Sequence, residues 1–359
     1  MSTSATQPVI TPSGGPPQRP VVRVGSRKSV LALLQAEWVV ASLKRLHPAV
    51  DFEVRGMLST ADKDKITALY KFGGKGLWTN ELEAALLADE LDMIVHCAKD
   101  MPTSVPEGCT LACFTEREDP RDVVVVKKGL EGKYKTLADL PNGAVVGTSS
   151  VRRMAQIRRR YPRLRFQDMR GNIDTRLQKL DAEDSEYSVL ILAAAGLHRT
   201  SRHARIAQYL DRDTEGGGML YAVGQGGLAL ETRADDSRTL ELLKPFEDEK
   251  TMLAIETERS IMRTLEGGCS IPIGVETAWL EGEGEGGNKL RLTGCVVSIE
   301  GTEAADAEAV DEVSTREQAV AFGKRVAQML VDNGAQAILD VINADREASR
   351  DKAEPWVPA

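Results

Sequence analysis

The first hundred residues alternate between two hydrophobic periods, and that alternation restricts the architectures open to the chain. VVRVGS, from Val21, has the apolar density of a buried strand. SVLALLQAEWVVASLKRLH then repeats apolar residues at helical spacing, with Ser29 placed to cap the helix. DFEVRGML reads as a second strand, NELEAALLADE as a helix with Asn80 and Glu83 in capping-box spacing, and DMIVHCAKD as a strand that ends in charge. Strand–helix–strand–helix–strand predicts an α/β unit with a parallel core, because parallel neighbours need a crossover connection.

A second unit with the same logic begins near EREDPRDVVVV. Its strands are DVVVV, AVVGTS, RLRFQDM and SVLILAAA, and its helices start at Ser150, near Asn172 and after Gly196. MLYAVGQGGLALETR follows and reads as a strand with a glycine turn. From about Asp236 the pattern changes. Two helices lead into LEGGCSIPIG, residues 265–274; IGVETAWLEG and KLRLTGCVVSIEG form a hairpin around EGEGEGGN; two helical stretches close the chain. The expected fold is α/β, with two lobes and a small α+β C-terminal domain.

Bulk properties remove several function classes. The net charge of −8 argues against a general nucleic-acid or membrane-surface binder, although it permits a local basic cleft. No apolar run approaches the roughly 18 residues of a membrane span. The first twenty residues lack the apolar core of a secretory signal and read as a Pro-, Ser- and Gly-rich disordered tail. The five cysteines show no zinc-like pair spacing, so reduced thiols and a cytoplasmic location are expected. Cys269 is singled out by Gly267 and Gly268 before it and Pro272 after it, which place its thiol on a loop.

Four further stretches carry candidate chemistry. In HCAKDMP, Asp100 and Lys99 follow a strand end, where ligands bind in open α/β sheets. In YKFGGKGLW, a glycine-rich loop with Lys71 and Lys75 lacks Walker A spacing but suits an anion. In GTSSVRRMAQIRRR, Arg152 and Arg153 fall in the first turn of a helix capped by Ser149 or Ser150. Cations there oppose the helix dipole unless an anion joins them. Arg170 and Arg176 flank a second glycine-containing helix start, and Arg27 and Ser29 stand at the first strand–helix turn. Arg158, Arg159, Arg160, Arg163 and Arg165 read as a solvated face or as partners of acidic neighbours. Two lobes facing each other would gather these strand-end residues in one cationic cleft containing a single carboxylate. The residues alone point to a protein for small polyanions, with enzyme and solute carrier both open. A nucleic-acid patch is the rival reading, but stacking aromatics are sparse.

These motifs, with TNELE, EREDPRD, RGNIDTR, AAAGLHR, AVGQGGLALE and LEGGCSIPIG in the same order, resemble the porphobilinogen deaminase (hydroxymethylbilane synthase) family from about Val22 onward. The resemblance implies two lobes like those of type 2 periplasmic binding proteins and a third domain carrying a cofactor cysteine. Beyond the tail at 1–20, it implies a first domain at 21–117 with 221–238, a second at 118–220 and a third at 239–359. The implied reaction condenses four porphobilinogens head to tail with loss of ammonia, on a dipyrromethane primer held through a thioether to Cys269. Asp100 matches the catalytic aspartate. Lys99, Ser149, Arg152, Arg153, Gly171 and Arg176 match cofactor-binding positions, and Arg27, Ser29, Gln35, Arg170 and Arg199 match substrate-binding ones. Lys71, Lys75 and Trp78 match the loop over the cleft. Hinge motion near 117–121 and 214–222 is implied, as are a monomeric state, no metal, and no nucleic-acid or membrane partner. The sequence departs from the family pattern at Trp78, Cys97 and His198.

Overall fold

Strand β1 (Val21–Arg27) sits at the centre of the first sheet's parallel part. It pairs in parallel with β2 (Asp51–Met57) on one side and β3 (Met93–Cys97) on the other. The structure is a computed structural model and describes residues 21–58, 79–213, 216, 218–265, 271–280 and 288–351. The helix Val30–Leu46 crosses from β1 to β2 and packs Val39, Val40 and Leu43 against Val22 and Val24. It starts where the sequence indicates: Ser29 takes the cap position and its hydroxyl accepts from the Ala32 N–H at 3.3 Å. Gly25 is required on the opposite face of β1, because a Cβ there would lie 2.5 Å from Leu91.

The expectation of a parallel core needs one correction. The sheet runs β2-β1-β3-β10-β4, and β10 (Leu228–Arg233) is antiparallel to both β3 and β4 (Cys109–Phe114). The second lobe repeats the pattern. Its order is β7-β6-β8-β5-β9, with β5 (Asp122–Val126) antiparallel to β8 (Tyr187–Ala193) and β9 (Gln208–Leu210). Only β6 (Val145–Gly147), β7 (Arg165–Gln167) and β8 are parallel there. In each lobe the antiparallel strand is the one that enters or returns from the other lobe, so the chain crosses twice between sheets.

Several local expectations also change. The helix Asn80–Leu87 is preceded by Thr79 at its cap, with no side-chain cap bond, and Glu83 is buried rather than exposed as a capping-box partner. The helix expected after Gly196 already starts at Ala194. Of MLYAVGQGGLALETR only Leu228–Arg233 is a strand; before it, Tyr221 forms a single antiparallel bridge with Val275. Ser150 and Asn172 do cap their helices, accepting from the N–H groups of Arg153 and Thr175.

The third unit is built on an antiparallel sheet of β11 (Ile273–Leu280), β12 (Lys289–Val297) and β13 (Ala304–Glu312). The hairpin was expected; β13 was not. The helices Glu249–Thr264 and Arg316–Asp332 cover the sheet with Ile261, Phe322, Val326 and Leu330. That core continues without a break into the first lobe, where Ala98, Met101, Phe114 and Ala229 join Met252, Leu253 and Ile255. The preceding helix, Ser237–Leu243, places Leu242 and Leu243 in the first lobe's core.

Candidate active site

β3 ends at Cys97, and the chain turns at once into a single 3-10 turn, Ala98–Asp100. Ala98 is buried and anchors the turn, while Lys99 and Asp100 are half-exposed. The turn is held from two sides. The Ala98 N–H donates to Gly227 O at 3.0 Å, and Arg259, from the third unit, donates to Pro102 O at 2.7 Å. Cys97 lies under the turn, 3.4 Å from the Gln35 amide on the first helix.

Lys99 reaches toward the second lobe. Its ammonium donates to Gln225 Oε1 at 3.5 Å. Burial lowers its pKa, the Asp100 carboxylate opposes that, and the Arg153 guanidinium lowers it further. Lys99 therefore feels charges from both lobes, as a cleft residue must. On the second lobe, Arg152 and Arg153 open the helix Val151–Arg160, and both are buried. An anion does meet them, and it is internal: Asp122, the first residue of β5. Arg152 NH1 donates to Asp122 Oδ2 at 2.7 Å, and Arg153 Nε and NH2 stand 3.0 and 2.7 Å from Asp122 Oδ1. Burial alone would raise the Asp122 pKa; the two guanidiniums overcome it and hold the group at about 2.

The remaining candidates on this lobe gather around the same place. Ser149 Oγ donates to Met169 O at 2.8 Å and accepts from the Met169 N–H, which fixes the strand ends of β6 and β7 together. Gly171 has φ +118°, a conformation that favours glycine, and a Cβ there would meet Thr175 at 2.9 Å. Arg176 Nε donates to Gly171 O at 2.7 Å. Burial, then the positive charges of Arg153 and Arg170, bring the Arg176 pKa down to about 10. Arg170 lies 3.6 Å from Asp168. Arg199 donates to Gly226 O at 2.7 Å, and burial lowers its pKa against the opposing pull of Cys97 and Glu118. Arg27 and Ser29 end β1 and begin the first helix.

The structure thus brings Lys99 of one lobe within electrostatic reach of Arg153 of the other, with Asp100 beside it on the same turn. Cys269, Lys71, Lys75 and Trp78 lie outside the described residues. Sequence reasoning missed Asp122 and Gln225. The available signal was an aspartate opening a run of four valines, since a carboxylate on a fully buried strand needs cationic partners. Arg158 and Arg159 are partners of acidic neighbours, pairing with Glu300 and Asp306 of the third unit at 2.8 and 2.7 Å.

Residues 22–241 match the family model of the porphobilinogen deaminase dipyrromethane cofactor binding domain, and residues 252–332 match that of the porphobilinogen deaminase C-terminal domain. A porphobilinogen deaminase of Neurospora crassa is 55% identical over 331 residues, covering 92% of this chain and 96% of the relative. Those of Yarrowia lipolytica and Saccharomyces cerevisiae are 48% and 44% identical, covering 91% and 90% of this chain and 94% and 98% of the relatives. Among solved structures, the effector domain of the regulator AmpR of Pseudomonas aeruginosa covers 68% of this chain and 98% of its own, with a TM-score of 0.36 and 12% identity.

Proposed function

The chain belongs to the porphobilinogen deaminase family, and on that premise we propose how its residues divide the work. The enzyme is a transferase, hydroxymethylbilane synthase. It joins four porphobilinogens head to tail, releases ammonia at each step and supplies hydroxymethylbilane to tetrapyrrole and heme biosynthesis.

The cofactor is dipyrromethane, two linked pyrroles bearing acetate and propionate groups. The donor set suits it. Arg152 and Arg153 share one buried carboxylate, so the trio keeps a surplus positive charge, and Arg176 is crowded by further cations. Carboxylates arriving there relieve a charge imbalance that the protein leaves open. When bound, the cofactor supplies the pyrrole carbon onto which the chain grows. Lys99, Ser149, Arg152, Arg153, Gly171 and Arg176 hold it, and Cys269 tethers it. Arg27, Ser29, Gln35, Arg170 and Arg199 take the carboxylates and polar groups of incoming porphobilinogen. Lys71, Lys75 and Trp78 belong to the loop over the cleft.

Asp100 carries the chemistry. Its carboxylate stands beside the cation that forms when the aminomethyl group of porphobilinogen loses ammonia, and it stabilises that charge from a fixed turn. The growing chain needs room, and the crossings near 117–121 and 214–222, of which 214, 215 and 217 lie outside the described residues, are the proposed hinges. The first domain is 21–117 with 221–238, the second 118–220 and the third 239–359, whose opening residues Leu242 and Leu243 pack into the first domain's core. The enzyme acts as a cytoplasmic monomer without metal, nucleic acid or membrane. Among the described residues no helix is long and apolar enough to cross a membrane.

The observation that carries this reading is the surplus of buried guanidinium charge facing the turn of Lys99 and Asp100. Intact-protein mass spectrometry with peptide mapping tests it. The expected result is the mass of two linked pyrroles on the Cys269 peptide. A bare Cys269, before and after incubation with porphobilinogen, overturns the reading.

A further inference from the structure

Arg152 and Arg153 are consecutive residues of one helix, so their side chains leave it about 100° apart and do not naturally meet. They nevertheless converge on one carboxylate. Asp122 Oδ2 takes Arg152, and Oδ1 takes Arg153 together with the Gln225 amide at 3.0 Å. Each guanidinium is pinned a second time, Arg152 NH1 donating also to Leu220 O and Arg153 NH1, off the edge that meets Asp122, to Ile191 O, both at 2.7 Å. Asp122 itself has no exposed side-chain surface. Among the described residues, no partner meets Nε or NH2 of Arg152.

We propose that Asp122 is a positioning residue for the condensation: it aims the two guanidiniums and sets their distance from the Asp100 turn. The inference rests on the functional reading above. Three arguments carry it. First, two buried guanidiniums in a first helical turn repel each other and oppose the helix dipole, so without a shared anion they would splay. Second, the carboxylate occupies one edge of the Arg152 fork and leaves the other edge for an incoming carboxylate. Third, the node reaches across the lobes. Gln225, which donates to Asp122 and to Pro120 O at 2.6 Å, accepts from Lys99 next to Asp100. Asp122 has no path to the reacting atoms and acts only through these neighbours.

A double-mutant cycle tests it. The wild type, Asp122→Asn, Arg152→Lys and the double variant are purified as holoenzymes. Intact mass gives the fraction bearing the pyrrole mass, thermal unfolding gives Tm, and single-turnover consumption of porphobilinogen gives kcat/KM per loaded enzyme. The expected result is a fall of about 100-fold for Asp122→Asn, shrinking to about threefold or less in the Arg152→Lys background. A residue that only stabilises the fold predicts losses that multiply. Multiplying losses, or loading and kcat/KM within about threefold of wild type, overturn the proposal. If Asp122→Asn does not fold, Asp122→Glu replaces it, keeping the charge while displacing the forks by one methylene. A tenfold loss confined to the Arg152 background is then expected, and an unchanged or multiplying effect overturns the proposal. Failure of the wild type to carry pyrrole mass would instead sink the functional reading.

Discussion

The guanidinium of Arg117 forks onto the carboxylate of Glu258, with NH1 and NH2 2.7 and 3.0 Å from its two oxygens. The same carboxylate accepts from the Gly224 N–H at 2.8 Å and from Thr277 Oγ1 at 2.7 Å. One buried group therefore ties together the segment leaving β4, the turn that enters β10 and the third unit's long helix. Gly226 in that turn has φ +88°, and a Cβ there would lie 2.2 Å from Glu118 O, so the two crossings touch backbone to backbone. The third unit is attached at the place where the two lobes exchange chain.

Removing one partner of this pair should be costly. Arg117→Leu leaves Glu258 buried without its cation, which typically costs about 3–5 kcal/mol. A fall in Tm of many degrees is expected by thermal unfolding, with partial recovery when Glu258→Gln is added. A Tm within a degree or two of wild type would show that the pair contributes little.

Asp100→Ala should separate folding from chemistry. The side chain is half-exposed on a short turn whose anchor is Ala98, so truncation opens no core cavity. The expected variant unfolds near the wild-type temperature and makes hydroxymethylbilane slower by orders of magnitude. Near-normal product formation would remove Asp100 from the reaction.

Cys269→Ala should carry no covalent pyrrole mass after expression or after incubation with porphobilinogen. A normal load on that variant would move the tether to another residue.

The buried carboxylate of Asp122 makes an acid-range prediction. Its pKa falls from 3.8 to about 2 on folding, through Arg152 and Arg153 acting against burial. The stabilisation is therefore fully present above about pH 4 and is lost as pH falls toward 2, amounting to roughly 2 kcal/mol. Denaturant titrations between pH 5 and 2 should show a shallower loss of stability in Asp122→Asn than in the wild type. Parallel curves would contradict the assignment.

Cys97 lies beside the turn Ala98–Asp100 but should be a poor nucleophile. Burial, then the Asp100 charge, push its thiol pKa up, and Lys99, Gln35 and Arg199 offset this only in part. At neutral pH, iodoacetamide should modify Cys97 more slowly than a free thiol, read by peptide mass. Labelling at the rate of free cysteine would refute the burial argument.

The sequence alone determined what depends on neighbours along the chain. Ser29, Ser150 and Asn172 start their helices because a capping hydroxyl or amide acts within three residues. The strand–helix alternation pointed to the lobes, and motifs at the strand ends singled out Lys99, Asp100, Arg152 and Arg153 as candidates. β13 escaped notice because AADAEAVDE has little intrinsic strand preference; it becomes a strand by pairing along the whole of β12. Glu83 escaped as well, since its capping spacing is local and its burial is not.

Tertiary structure decided where the charges go. An arginine pair in a first helical turn announces an anion, but nothing local says that the anion is Asp122, thirty residues earlier and on another element. Burial strengthens each electrostatic contact and makes each unpaired charge costly, so a buried cation takes its partner from whatever the fold brings within reach. That choice is made by the crossing of two sheets, and it exists only once the chain has folded.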